Sequence, residues 1–154
     1  MTAMKITAPA MRVNYARGRA IALAPRHAIE LIERPAPVGV PGAPYYARGL
    51  LGWRDAWLPL IDLQTMLRAH AGEPMLALNY ALVVAYQAVP RGPLSYGALG
   101  LASTPLPIEV GDANAAPLPN DSDLWPLIAV ACVAHGGLVL PIVEPARLFA
   151  QPQG

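Results

Sequence analysis

Prolines and glycines interrupt this chain so often that long regular helices are excluded. Its 154 residues include 18 prolines and 13 glycines, and few windows keep a helical apolar period for three turns. Short apolar runs between turn residues are typical of small β-barrels and sandwiches. The predicted strands are residues 19–23, 29–32, 49–53, 57–61, 76–86, 96–101, 127–134 and 138–143. Residues 34–44 and 104–123 are predicted to be surface loops.

The length and composition predict one domain, residues 1–154, with a largely apolar surface. Hydrophobic residues make up 55% of the sequence and charged residues 14%, against about 45–50% and about 25% in average domains. Such a surface favours protein partners, although the abundance of alanine offers a simpler explanation of the same composition. The net charge of +1 and the scattered lysines and arginines argue against nucleic acid as a partner.

The sequence gives no sign of export, disulfide bonding or membrane insertion. Cys132 is the single cysteine, which excludes an internal disulfide and predicts a buried thiol in a reducing compartment. Residues 124–143 form a run of twenty residues without formal charge, long enough to span a membrane. Pro126, Pro141 and the break at 135–137 instead predict two buried strands and a tight turn. Because the N-terminal residues also lack the apolar region of a signal peptide, we expect a cytoplasmic protein without direct membrane insertion.

The chain contains an internal repeat at an offset of 82 residues. Residues 58–67 read LPLIDLQTML and residues 140–149 read LPIVEPARLF. Each copy predicts a strand that ends at an acid, and this acid caps the helix that follows. The capping residues are Asp62 in the first copy and Glu144 in the second. Pro145 then takes the first helical position, where a missing N–H removes no helix hydrogen bond.

At the same offset, Arg54-Asp55 aligns with Gly136-Gly137. Both pairs join an incoming apolar strand to an outgoing one, and glycine reaches the positive φ of a tight hairpin turn without strain. The first copy carries a cation, an anion and the flanking Trp53 and Trp57, none of which the backbone geometry requires. This excess indicates that Arg54-Asp55 is displayed to a partner. A solvated turn with two ordinary polar residues is the alternative.

The residue patterns that enzymes use are missing from the sequence. His27, His70 and His135 are isolated, without the H-x-x-x-H or C-x-x-C spacing of a metal site, and no phosphate-binding glycine loop is present. The tripeptide at 135–137 is similar to an oxyanion-hole motif, but no G-x-S-x-G accompanies it, so a hairpin turn explains it better. We predict no catalytic activity, no metal and no cofactor. An esterase-like enzyme built around His135 is the alternative.

Residues 29–67 combine an apolar strand, a proline-containing loop and a spaced motif. The motif positions are Tyr46, Gly49, Arg54, Pro59, Asp62 and Leu63. This pattern resembles the CheW-like domain of bacterial chemosensory systems, whose motif has the form G-x-x-N-L-R-G-x-x-x-P-x-x-D-L after an aromatic residue. Here Gly52 stands in place of Asn, Trp53 in place of Leu and Asp55 in place of Gly. The family's first strand, near residues 11–15, and its strand near 97–103 are matched only loosely.

The resemblance implies a mainly β fold of two small five-stranded barrels, SH3-like or OB-like, packed on a shared core with short helices. It implies approximate halves at 1–72 and 73–154, and an exchange of the termini between these halves is left open. It also implies a monomeric, non-catalytic adaptor. Such an adaptor bridges the cytoplasmic tip of a methyl-accepting chemoreceptor and the regulatory domain of a CheA-type histidine kinase. Both a chemotaxis pathway and a type IV pilus pathway are open.

The resemblance also implies where the receptor binds. The candidate contacts are Arg54, its neighbours Gly52, Trp53 and Asp55, and the loop residues Val38 and Val40. Strand alternation is expected to place Trp53 and Trp57 on one face, and Asp55 could pair with Arg54. The kinase side is not assigned. A small barrel that binds single-stranded nucleic acid is the alternative function, but few aromatic residues accompany the scattered basic ones.

Overall fold

The computed structural model describes residues 7–44, 46–68 and 78–150, in which short strands dominate. The strands are β1 Thr7–Ala16, β2 Arg19–Leu23, β3 Ala28–Glu33, β4 Ala47–Trp53, β5 Ala56–Ile61, β6 Tyr80–Gln87, β7 Leu94–Leu101, β8 Leu106–Gly111, β9 Ala129–His135 and β10 Leu138–Val143. The α-helices are α1 Leu63–Arg68, α2 Trp125–Ile128 and α3 Pro145–Phe149, and 3-10 turns cover Pro25–His27 and Asp112–Asn114. No helix in these described ranges is both long and apolar enough to cross a membrane.

The strands form two five-stranded sheets. The terminal sheet has the order β8-β1-β2-β10-β9, and the central sheet has the order β3-β6-β7-β5-β4. The predicted mainly β architecture with two five-stranded units and short helices is confirmed. The boundary expected between residues 72 and 73 does not separate the sheets, because β6 and β7 pair with β3 and β5. The two ends of the chain meet instead in the terminal sheet, where β2 pairs with β10.

One apolar core is shared by both sheets. Val13 and Ile21 from the terminal sheet are fully buried in the same cluster as Val84 and Leu101 from the central sheet. Trp125 of α2 is buried in this cluster as well. Because burial of large apolar side chains is the main favourable term in folding, this cluster holds the two sheets together.

One predicted loop contains a strand. Residues 104–123 were expected to form a surface loop, but β8 crosses this range and pairs with β1. Its alternation is present, since Ile108 and Val110 are buried, but the prolines around it obscure the pattern. Pro107 is tolerated because β8 is the edge strand of its sheet, where a missing N–H leaves fewer partners unpaired.

The segment 124–143 is the predicted hairpin preceded by a helical turn. The strand expected to begin at residue 127 begins at Ala129, because residues 125–128 form α2. The amide N–H groups of Leu127 and Ile128 donate to the carbonyl of Leu124, at 2.9 and 3.1 Å. Pro126 is compatible with this arrangement because it lies in the first turn of the helix.

Both predicted helix caps are confirmed. The Thr65 N–H donates to Asp62 Oδ1 at 3.3 Å, and α1 begins at the next residue after this aspartate. The Ala146 N–H donates to Glu144 Oε1 at 3.4 Å, and Pro145 is the first residue of α3. The repeat therefore encodes the same strand-to-helix transition twice.

Candidate partner-binding site

The tip of the β4–β5 hairpin carries the Arg54-Asp55 pair. Trp53 pairs with Ala56, so Arg54-Asp55 forms a two-residue turn. Gly136-Gly137 forms a two-residue turn between β9 and β10, as the repeat predicts, with φ values of 57° and 80°. Arg54 has a φ of 52°, where a residue other than glycine costs on the order of 1–3 kcal/mol. The arginine is thus held in a conformation that glycine would adopt without strain.

The Arg54 side chain is largely exposed and weakly held. Its guanidinium carbon lies 4.2 Å from the centre of the Trp53 ring, a cation–π contact worth about 0.5–1 kcal/mol at an exposed site. One guanidinium nitrogen lies 4.0 Å from Glu30 Oε1, and the two side chains are 65% and 48% exposed. Within the described part of the chain, the ion pair of Arg54 is with Glu30 and not with Asp55, which the sequence had suggested. Such an exposed pair contributes little to stability.

The two tryptophans of the hairpin lie on opposite faces of the sheet. Trp53 is 7% exposed and packs with Leu58 and Val83, whereas Trp57 is 62% exposed. The prediction that both share one face is wrong. The two-residue turn pairs Trp53 with Ala56, so alternation continues from Ala56 and directs Trp57 outward. The Trp53 ring therefore packs against the Arg54 guanidinium from the buried side of the sheet and is not itself exposed to a partner.

The outward face of the hairpin is apolar, and the preceding loop extends it. Gly52 pairs with Trp57 and Leu50 pairs with Pro59. Val38 in turn pairs with Leu50, each donating its N–H to the other's carbonyl at 2.9 and 2.8 Å. Directly opposed residues share a face, as do residues two apart on one strand. We call this five-residue surface of Val38, Leu50, Gly52, Trp57 and Pro59 the hairpin patch.

The Trp57 ring lies over Gly52. A Cβ on Gly52 would lie 3.4 Å from the nearest atom of the Trp57 ring, an ordinary van der Waals distance. Val38 is 56% exposed, and Val40, two residues further along the loop, is 42% exposed. The structure thus brings Gly52 and Val38 together in one surface, with Arg54 and Asp55 at the adjoining tip.

Three members of the hairpin patch were absent from the sequence prediction. Leu50, Trp57 and Pro59 join it through strand pairing, and only the register of β4 on β5 reveals this. A two-residue turn at Arg54-Asp55 pairs Trp53 with Ala56, and this register could have been worked out from the sequence.

The indole N–H of Trp53 is buried without a hydrogen-bond partner in the described residues. Among those residues, no group of three or more His, Cys, Asp or Glu side chains could hold a metal ion; His70 lies outside them.

The sequence model of one family, the CheW-like domain, matches residues 15–153. The chain belongs to the CheW-like domain family. Its fold is similar to that of the scaffolding protein TtCheW from Thermoanaerobacter tengcongensis, with a TM-score of 0.68 and 14% sequence identity. That match covers 92% of this chain and 90% of TtCheW. Among curated protein sequences, none matches this chain.

Membership in the CheW-like family fixes the class of protein. CheW-like domains are non-catalytic scaffolding domains of chemotaxis signalling, built from two SH3-like barrels. The predictions of the family, the fold and the absence of catalytic function are confirmed on this ground. The Arg54 turn and the hairpin patch lie within the matched residues.

Proposed function

We propose that this CheW-like protein is a cytoplasmic adaptor that couples the tip of a methyl-accepting chemoreceptor to the regulatory domain of a CheA-type histidine kinase. The observation that carries the proposal is the hairpin patch, an exposed apolar surface with a cation at its tip. Apolar patches bounded by polar residues are typical of protein-binding surfaces. The hairpin patch with Arg54 and Asp55 is the receptor side of the adaptor.

The chemistry of this surface suits a helical protein tip that carries apolar side chains and a carboxylate. Trp and Arg are the residue types most enriched among binding hot spots, and Trp57 and Arg54 supply one of each. The Arg54–Glu30 pair is exposed and long, so a partner's carboxylate can replace Glu30 at small energetic cost. The two-residue turn places Arg54 at the tip of the hairpin, beside the hairpin patch, where a partner can reach it.

An adaptor needs a second surface for its second partner. Leu127 in α2, Val130 in β9 and Val139 in β10 are each about half exposed. These residues belong to the half of the protein that contains the terminal sheet, whereas the hairpin patch belongs to the central sheet. We assign the kinase to this half of the protein, because partners bound to different sheets could be held at the same time. The protein acts as a monomer, in a chemotaxis or a type IV pilus pathway.

Replacing Arg54 by glycine is expected to weaken binding of the receptor tip about five- to thirtyfold, or roughly 1–2 kcal/mol. The fold should persist, because the equivalent β9–β10 turn already carries glycine at this position. Arg91→Gly is a matched control, since Arg91 is also an exposed arginine with positive φ, in the turn between β6 and β7. Isothermal titration with the receptor's cytoplasmic tip measures the effect. Equal affinities of the two variants would remove Arg54 from the receptor site.

Replacing Trp57 by alanine is expected to weaken the same binding by tenfold or more, about 1.4 kcal/mol or above. Because the ring is 62% exposed, the free energy of unfolding should change by less than about 1 kcal/mol. Leu94→Ala, at a 55% exposed leucine of β7, is the control and should leave receptor binding unchanged. If Trp57→Ala binds the tip with wild-type affinity, the hairpin patch is not the receptor surface.

A further inference from the structure

A groove lined by two arginines lies where the two sheets meet, and it shares no residue with the hairpin patch. It encloses about 460 Å³, and its walls include Arg12 and Arg17 from the β1–β2 hairpin. The opposite wall comes from the residue before β6 and the residues after β7, and it includes Asn79 and Ser103. No acidic residue is present in the described lining of this groove.

The polar groups of the groove are held by one another. The Arg12 Nε–H donates to Asn14 Oδ1 at 3.4 Å, and Asn14 Nδ2 donates to Ser103 Oγ at 2.8 Å. The Ser103 hydroxyl therefore accepts from Asn14, and its own hydrogen is free to donate to a ligand. The backbone joins the two walls as well, since the Ala102 N–H donates to the Asn14 carbonyl at 2.9 Å.

The Arg12 guanidinium lies beside the β9–β10 turn. A Cβ at Gly136 would lie 3.0 Å from a terminal nitrogen of Arg12, so the end of this flexible side chain would have to move by a few tenths of an ångström. The groove is assembled from four separate parts of the chain: the β1–β2 hairpin, the residue before β6, the residues after β7 and the start of β10.

The positive charge of the groove is not neutralised by the described part of the protein. Neither Arg12 nor Arg17 forms an ion pair with a residue in these ranges, whereas nearby Arg19 pairs with Asp121 at 3.0 Å. Guanidinium groups have only donors, and their planar geometry matches the two oxygens of a carboxylate. An occupant of this groove should therefore be an anion that accepts hydrogen bonds.

We propose that this groove binds the carboxylate side chains of an acidic peptide segment of a partner protein. Two cations on the wall of one groove suit one or two carboxylates. A nucleic acid strand would need a longer basic surface with aromatic residues for base stacking, and the described lining offers none. The proposal concerns a surface separate from the hairpin patch and does not depend on the receptor assignment.

The test is fluorescence anisotropy with a short, labelled, glutamate-rich peptide and its glutamine counterpart, in the full-length protein. The glutamate peptide should bind, the glutamine peptide should not, and added salt should weaken the binding. The double variant Arg12→Gln/Arg17→Gln should lose affinity at least about tenfold, since each guanidinium would make charge-assisted hydrogen bonds. Arg26→Gln/Arg91→Gln removes the same charge from exposed positions elsewhere and should change affinity by less than about twofold.

A second measurement uses only the wild-type protein, so it does not depend on whether the variants fold. It follows the amide signals in NMR spectra as the peptide is added. In the wild-type protein, the glutamate peptide should shift the amide signals of Gly18, Asn79, Ala102 and Ser103, which belong to the groove. Shifts confined to other regions, or equal losses of affinity in the two double variants, would overturn the proposal. Tighter binding of a single-stranded oligonucleotide than of the acidic peptide would overturn it as well.

Discussion

Replacing Asp62 by alanine is expected to lower the free energy of unfolding by about 3–5 kcal/mol. The carboxylate is 1% exposed and lies 3.1 Å from Arg48, whose side chain is 22% exposed. It also accepts the Thr65 N–H at the start of α1. Alanine would remove the cap and leave the partly buried guanidinium of Arg48 without this carboxylate.

Two further variants separate the cap of Asp62 from its charge. Asp62→Asn keeps an oxygen acceptor for Thr65 but loses the charge opposite Arg48, so it should cost less than Asp62→Ala. Glu144→Ala removes the equivalent cap of α3, where the glutamate is more exposed, and should cost about 0.5–2 kcal/mol. Urea denaturation gives all three values. If Asp62→Ala costs no more than Glu144→Ala, the ion pair with Arg48 contributes nothing to stability.

The position of Asp62 explains why this residue matters for the candidate site. Its own N–H donates to the carbonyl of Tyr46 at 2.9 Å, next to the beginning of β4. The aspartate thus joins the base of the β4–β5 hairpin to α1, while the tip of the same hairpin carries Arg54. Because the hairpin is fixed at its base, its outward face keeps a defined orientation for a partner.

The sequence was sufficient for the features that depend on local chemistry. Asp62 and Glu144 are recognisable as caps because an acid between a strand and a helical pattern can accept the free N–H groups of the first turn. The Arg54-Asp55 turn was recognisable because its repeat partner, Gly136-Gly137, has the residues that a tight hairpin favours. In both cases the deciding interactions lie within a few residues of one another.

Features that depend on distant pairing could not be predicted in the same way. The strand β8 lies in a range that the sequence predicts to be a loop, because its prolines mask the alternation. Only its pairing with β1, about 100 residues away, reveals it as an edge strand. The exposed position of Trp57 is different, because it follows from the local two-residue turn, which pairs Trp53 with Ala56 and directs Trp57 outward. The hairpin patch needed a further long-range contact, the pairing of Val38 with Leu50.

The contact between the loop and β4 also makes Gly49 a critical residue. Gly49 has a φ of 117°, and a Cβ at this position would overlap the carbonyl oxygen of Val38. This same carbonyl accepts the Leu50 N–H at 2.8 Å. A side chain at residue 49 would therefore push the loop away from β4 and break the pairing that brings Val38 into the hairpin patch.

Gly49→Ala is accordingly expected to lower the free energy of unfolding by about 3 kcal/mol, from backbone strain and from the displaced loop together. Gly42→Ala is the matched control, because Gly42 also has a positive φ, of 79°, but a Cβ there would meet nothing within 4 Å. The control should cost only about 1–2 kcal/mol, the strain of a left-handed conformation. Denaturation measures both values, and hydrogen exchange at Leu50 should be faster only in Gly49→Ala. Equal costs and equal exchange in the two variants would mean that the loop does not depend on Gly49 to stay against β4. The receptor-side surface would then have to be held by other contacts.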